Sequence, residues 1–371
     1  MFKAEQEPRM DRPLSSILSR ALAGIALTRD DLIALLSLTR PEERAEVQAA
    51  ARTIRARRGG NLIHTYGFVY PSTFCRNACR FCAFRRDNPR ARRYRLSEAE
   101  ILAAAHNLAA QGVNLIDLTL GEDPATGQPG HVQATAELIR KLCAATNLPI
   151  MISPGVAAPE ALAAYRAAGA TWYACYQETH NRDLFSRLRP GQSYNLRWGS
   201  KLAARAAGFL VEEGVLCGVG ESAADLADSV LAMAGLGAAQ VRAMAYMPPP
   251  EAAGALPGLW TPAPPPGAAR KREIDLIAVL RLARPEALIP ASLDVEGLAG
   301  LKDRLQAGAD LVTSLVPAGH GLAGVAQAEL DIDNQARSLM GIQPVLAELG
   351  LKAAGADDYR RRLADLGQDN F

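Results

Sequence analysis

The chain predicts a parallel α/β fold, an eight-stranded (β/α)8 TIM barrel, on three observations. Strand-like and Ala-rich helix-like segments alternate from residue 62 onward, which is the pattern of a parallel sheet covered by helices. The strand candidates number eight, enough to close a barrel. Polar, chemically capable residues gather just after those strands, at the end where barrel enzymes carry their sites. The expected layout is a helical extension over 1–60, the barrel over 61–341 and a short helical cap over 342–371. A chain of 371 residues could form two domains on length alone, but barrels of this size fold as one unit.

In the leading segment Leu14, Ile17, Leu18, Leu22 and Ile25 recur at helical spacing. Thr28 with Asp31 and Thr39 with Glu42 read as capped starts of two further helices, and Gly59-Gly60 ends the run. By position alone this leader would cover one mouth of the barrel. Strands are expected at 62–70, 114–120, 149–153, 171–176, 215–219, 240–245, 287–291 and 310–314. Helices are expected at 98–111, opened by Ser97 with Glu100, and at 132–146, 158–168, 199–212, 223–236, 270–284 and 295–307. The segment 248–267 holds eight prolines and no regular pattern, so it reads as a long loop after strand six. One or two helices, at 345–349 and 357–366, should close the tail.

About half of the residues are hydrophobic, 22% are charged and the net charge is +2. That balance argues against a nucleic acid or a membrane surface as the main partner. Six cysteines in a chain of this length do not make a disulfide scaffold. Three lie in one loop, and Cys143, Cys175 and Cys217 are scattered, which fits a reducing compartment. With no apolar leader and no bilayer-length apolar run, a cytoplasmic monomer is expected.

The loop after strand one reads Cys75-Arg76-Asn77-Ala78-Cys79-Arg80-Phe81-Cys82. Three thiolates at this spacing can bend onto one soft metal centre, zinc or an iron–sulfur cluster. A closed zinc site wants a fourth ligand, and none follows at short range; His64 or His106 would have to supply it from a distance. A cluster held by three cysteines would leave one iron open to a ligand. The basic run Arg85, Arg86, Arg90, Arg92, Arg93, Arg95 reads either as a solvated loop or as a contact for an anionic ligand or an electron donor.

The remaining strand ends are equally rich. Strand two carries Asp117 and then Gly121-Glu122, strand four leads to Glu178, strand five to Gly218 and Gly220, strand six holds Arg242, and strand seven ends Ser292-Leu293-Asp294. Singly, Asp294 and Glu122 could be helix N-caps or first-turn acids, and Arg242 a buried ion-pair partner. Cys175 and Cys217 read as small buried hydrophobes. Gly218-x-Gly220 superficially matches a dinucleotide fingerprint, but strand six offers Gln240 and Arg242 where that site would want an acid.

The cysteine spacing, with Phe81 ahead of Cys82, resembles the cluster loop of radical S-adenosylmethionine (SAM) enzymes. That resemblance implies a [4Fe–4S] cluster on Cys75, Cys79 and Cys82 whose open iron binds SAM and cleaves it to a 5′-deoxyadenosyl radical. Glu122 then resembles the acid that binds the SAM amine, although the family often has a second glycine where Leu120 stands. Glu178 and Arg197 resemble the acid and arginine that contact SAM in the hydrogenase-maturase branch. Gly218 and Gly220 resemble the turn beside the adenine.

Over nearly its whole length the sequence is similar to the methylornithine synthase family, through CRNACRFCAFRRDN, DLTLGEDP, MISPGV, WYACYQETHNRDLFSRLRPGQSY, GVGES, VRAMAYMP and LIPASLDVEGLAGLKDRLQAGADLVTS. It departs in the Ala-rich helices and the Pro-rich loop. The resemblance implies isomerisation of L-lysine to (3R)-3-methyl-D-ornithine, through fragmentation and recombination of the carbon skeleton. It also implies an electron donor such as flavodoxin or ferredoxin. Arg242, helped by Ser292, would hold the substrate carboxylate, and Asp294 and Asp117 its ammonium groups.

Overall fold

Eight parallel strands form one sheet that curls until its ends meet: β1 (Leu62–Ser72), β2 (Leu115–Leu120), β3 (Ile150–Ser153), β4 (Ala170–Ala174), β5 (Leu210–Cys217), β6 (Gln240–Ala245), β7 (Pro290–Ser292) and β8 (Leu311–Leu315). Their order is β6-β5-β4-β3-β2-β1-β8-β7. The seam between β6 and β7 is bridged where Val241 N donates to Leu288 O at 3.0 Å and Leu288 N to Ala239 O at 3.0 Å. The structure is a computed structural model that describes residues 12–127, 130–247, 265, 267–294, 296–317 and 336–368. Most of the Pro-rich segment lies outside these residues.

Between the strands run α4 (Glu98–Gln111), α5 (His131–Thr146), α6 (Pro159–Ala167), α7 (Arg182–Leu188), α8 (Tyr194–Ala206), α9 (Ala223–Leu236), α10 (Ala268–Ala283) and α11 (Leu301–Gln306). Ser97 and Glu100 form the expected capping box on α4. Ahead of the barrel stand α1 (Leu14–Leu22), α2 (Arg29–Leu36) and α3 (Pro41–Gly59); after it come α12 (Leu339–Glu348), the short strand β9 (Lys352–Ala353) beside β1, and α13 (Ala356–Gln368). Thr28 and Asp31 box the start of α2. Thr39 does not cap α3, which starts with Pro41 at its first position and Arg40 ahead of it.

The leading helices do not sit over a barrel mouth. They pack on the outer layer, α2 against α9 and α3 against α10, because their apolar residues Leu32, Leu35, Val47 and Ile54 join the same buried cluster as Val230, Met233 and Ile277. It is α13 that reaches the interior: Tyr359 and Leu366 belong to the cluster of Tyr66, Leu115, Met151 and Trp172. Along β1 the inward residues Tyr66, Phe68 and Tyr70 stack with centroids 5.4 and 5.7 Å apart, and Phe84 caps the column at 6.0 Å.

The tail helix expected over 345–349 begins earlier, as α12 at Leu339, and two further boundaries differ from expectation for one reason. A helix was expected over 199–212 and a strand over 215–219, yet α8 ends at Ala206 and β5 begins at Leu210. Gly208, at φ +85°, turns the chain between them. Glu212 and Glu213 straddle the expected end of the helix, but both lie in β5 with side chains fully buried. Each is matched there by a cation, Arg242 for Glu212 and Lys201 for Glu213.

Candidate active site

At the C-terminal end of the strands a cleft opens with about 1140 Å3 of empty space counted out to its mouth. Cys75, Cys79, Cys82, Glu122, Glu178, Arg197 and Asp294 all line it. The cysteine loop reaches this position because its neighbours hold it. Arg76 N donates to Glu122 O at 2.9 Å, and Arg80 N to Leu188 O at 2.9 Å. Within the basic run Arg86, Arg90, Arg92 and Arg95 are exposed, as a solvated loop would have them, whereas Arg85 is buried and Arg93 half-buried. Arg93 donates to the carbonyls of Thr73, Phe84 (2.9 Å) and Arg85 (2.6 Å), gathering the loop from both ends. Arg95 grips Asp123 through two bonds of 2.8 Å and stacks on Phe74 at 4.1 Å. Although burial opposes it, the Arg95 bonds and the Ser72 hydroxyl bring the Asp123 carboxyl down to about 2.

Neither histidine proposed as a zinc ligand can reach the loop. His64 stands near the start of β1 against Tyr359, roughly 25 Å of strand away from the end that carries the cysteines. His106 lies exposed on the outer helix α4.

Glu122 lies against Gly155, where a Cβ would fall 2.2 Å from its Cγ, and Gly155 itself has φ +77°. Its carboxylate accepts from Arg197 Nη2 at 3.0 Å, and from Arg76 Nε and Nη2 at 3.1 and 2.9 Å. Burial pushes this carboxyl up, but the Arg197 charge and the Arg76 bond outweigh it and hold it below its ordinary value. Gly121 cannot be larger: a Cβ there would come within 2.7 Å of Phe74 O and 3.1 Å of Cys75 Cβ.

Glu178 follows β4 with φ +69°, a strained conformation for a side-chain-bearing residue. It is held there by pairing with β5, its N donating to Gly214 O (3.1 Å) and its O accepting from Leu216 N (2.9 Å). Its carboxylate accepts from Arg189 Nη2 at 2.9 Å. Burial raises the Glu178 pKa, with Arg189 and Arg197 opposing.

Cys175, expected to be only a packing residue, lines the cleft and accepts from Arg197 Nη1 at 2.8 Å. Cys217 is fully buried outside the cleft lining.

Asp117, Arg242 and Ser292 lie one layer below the cleft floor. Thr119 and Ser153, which line the floor, donate to Asp117 at 3.0 and 2.8 Å. Burial, aided by the charge of Glu212, pushes Asp117 up to about 7. Arg242 is a buried ion-pair partner: Nε donates to Glu212 at 2.7 Å, Nη1 to Thr313 Oγ1 at 3.1 Å, and Nη2 to the Tyr66 hydroxyl. Tyr176, in the floor above, also bonds Glu212 at 2.9 Å. Ser292 Oγ accepts from Asp294 N at 3.2 Å, and Asp294 takes Arg337 Nη1 at 3.1 Å. Gly218 and Gly220 adopt φ +88° and +94° after β5, and lie outside the cleft lining. The N–H groups of Gly218 and Val219 donate to Glu221, each at 2.8 Å.

Three contributors were missed in sequence: Arg189, Gln192 and Arg337. Arg189 and Gln192 sit in the quoted RLRPGQSY segment but carry no motif of their own, and Arg337 comes from beyond the eighth strand. Their function depends on which distant residue they meet.

This arrangement fits a cluster and SAM. The thiols of Cys75, Cys79 and Cys82 border one cavity. Beside them stand carboxylates and arginines able to take an ammonium and a carboxylate. The Arg197 Nε is buried with no hydrogen-bond partner among the described residues, a condition that buried donors rarely keep without a ligand.

Comparison with known proteins agrees. Residues 69–232 match the Radical SAM superfamily model. The 3-methylornithine synthase of Methanosarcina acetivorans is 36% identical over 92% of this chain and 94% of its own length. That of Methanosarcina barkeri is 35% identical over 93% and 95%. The crystal structure of methylornithine synthase (PylB) superposes with a TM-score of 0.85 at 34% identity, covering 93% of this chain and 99% of that one. No helix among the described residues is long and apolar enough to cross a membrane. Likeness along the whole length, together with a cysteine loop facing paired acids and arginines, places this chain in the 3-methylornithine synthase family of radical SAM enzymes.

Proposed function

We propose that the protein isomerises L-lysine to (3R)-3-methyl-D-ornithine, with an external one-electron donor such as flavodoxin or ferredoxin. The observation that carries this reading is the cleft itself, where three cysteines, the Glu122–Arg197 pair and Asp294 line one space in a chain of this family. When bound on Cys75, Cys79 and Cys82, the [4Fe–4S] cluster supplies reductive cleavage of SAM and so a hydrogen-abstracting radical.

The chain's own residues bind, orient and exclude water. Glu122 and Glu178 offer carboxylates to the SAM ammonium, and Arg197 offers its buried guanidinium to the SAM carboxylate. Gly218 and Gly220 give the turn that would border the adenosine. Asp294, kept beside the Arg337 guanidinium, takes one ammonium of lysine. Asp117 takes the other, and an arriving cation would draw its raised pKa back down. Arg242 bonds Thr313 and Tyr66 through its two terminal nitrogens. A substrate carboxylate can displace these neutral hydroxyls while Glu212 keeps Nε, with Ser292 helping to orient it. The walls Phe81, Phe84, Leu216 and Tyr246 keep water from the fragments.

The direct test is anaerobic reconstitution followed by incubation with SAM, a strong reductant and L-lysine. Methylornithine should appear by mass spectrometry. SAM cleavage with no lysine-derived product would refute the substrate and leave the radical chemistry standing. A second expectation concerns Gly155. A methyl group there collides with Glu122, so Gly155→Ala should weaken SAM binding about tenfold or more, the scale of one lost charged hydrogen bond. Equilibrium binding of SAM to the reconstituted variant measures this directly.

A further inference from the structure

We propose that Arg189, with Gln192 beside it, sets the reduction potential of the cluster and makes that potential sensitive to what binds Glu178. The proposal rests on the reading of Cys75, Cys79 and Cys82 as the cluster ligands. Arg189 is 6% exposed. Its Nη1 donates to Cys79 Sγ at 3.3 Å, while its Nη2 donates to Glu178 at 2.9 Å and to Tyr176 O at 3.0 Å. The guanidinium also stands 4.9 Å from the Phe81 ring centroid, within the cysteine loop itself. Gln192 Nε2 donates to the same sulfur at 3.0 Å. One buried thiol of the three thus receives two N–H donors, one of them cationic.

Arginine keeps its proton at any working pH, so its charge beside Cys79 is permanent. Reduction adds one electron to the cluster, supplied by the external donor, and no bond forms or breaks in that step. N–H donors to a cluster sulfur and a nearby cation both stabilise the extra negative charge, more strongly in a buried setting, and so raise the potential. Glu178 works against this by holding the other side of the same guanidinium. A cationic group drawn to Glu178 loosens that hold and leaves more of the Arg189 charge to Cys79. Arg189 is therefore a positioning residue that lets an occupied site accept an electron more readily than an empty one.

The experiment compares wild type with Arg189→Gln, Arg189→Lys and Gln192→Leu after anaerobic reconstitution. Iron and sulfide content are measured first. A redox titration then follows the electron paramagnetic resonance signal of the reduced cluster, with and without SAM. With full iron content, Arg189→Gln should titrate at a more negative potential than wild type. Gln192→Leu should move the same way by less, and Arg189→Lys should fall between Arg189→Gln and wild type. SAM should shift the wild-type potential upward and shift Arg189→Gln less. If Arg189→Gln does not assemble a cluster, the Gln192→Leu and Arg189→Lys titrations decide. Fully loaded variants with the wild-type potential would overturn the proposal. A wild-type protein that forms no iron–sulfur chromophore would instead overturn the cluster reading beneath it.

Discussion

Lys201→Met should destabilise the fold by about 3–5 kcal/mol, the cost of leaving one member of a buried ion pair alone. Lys201 on α8 is fully buried and bonds Glu213 of β5, itself fully buried. Burial drives the Lys201 pKa well below its ordinary value, with the Arg197 and Arg189 charges adding to it and Cys175 and Glu178 opposing. The Glu213 carboxylate also accepts from the backbone N–H groups of Gln177 and Gly214, at 2.7 and 2.8 Å. It therefore pins the segment that carries Glu178. Urea unfolding of the variant measures the loss. The double variant Lys201→Met/Glu213→Gln should recover much of it, because no charge is then stranded. A single variant within 1 kcal/mol of wild type would show that the pair contributes little.

Asp294→Ala should lower turnover at least about 100-fold, as expected when the group that fixes a reacting substrate is removed. Cluster content and SAM binding should stay as in wild type, since Asp294 bonds Arg337 and Ser292 and touches neither the cysteines nor Glu122. Product formation, iron content and SAM binding on one preparation separate these effects. Normal turnover of lysine would remove Asp294 from the substrate site. Loss of iron would move it into the cluster's support.

Much of this was legible in the residues. Strands show themselves through short β-branched and aromatic runs bounded by glycine, and the cysteine triplet fixes its own loop. What stayed hidden was polar and buried. Glu212 and Glu213 drew no role in sequence because a lone sequence cannot show that Arg242 and Lys201 wait opposite them. Cys175 read as packing because Arg197 lies a helix away. The role of Arg93 stayed hidden because its acceptors are backbone carbonyls, which every residue has. In each case the missing information was a long-range partner, which no local pattern encodes.

The Arg93 contacts carry a consequence for assembly. Fixing a residue's backbone costs about 1–2 kcal/mol of conformational entropy, so a floppy eleven-residue loop from Cys75 to Arg85 would charge that penalty to metal insertion. Here the three carbonyls gathered by Arg93 and the clamp of Arg95 on Asp123 meet the penalty when the polypeptide folds. A cluster assembling on Cys75, Cys79 and Cys82 would then meet a loop that folding has already placed. We expect such a centre, once lost, to be rebuilt on the folded chain.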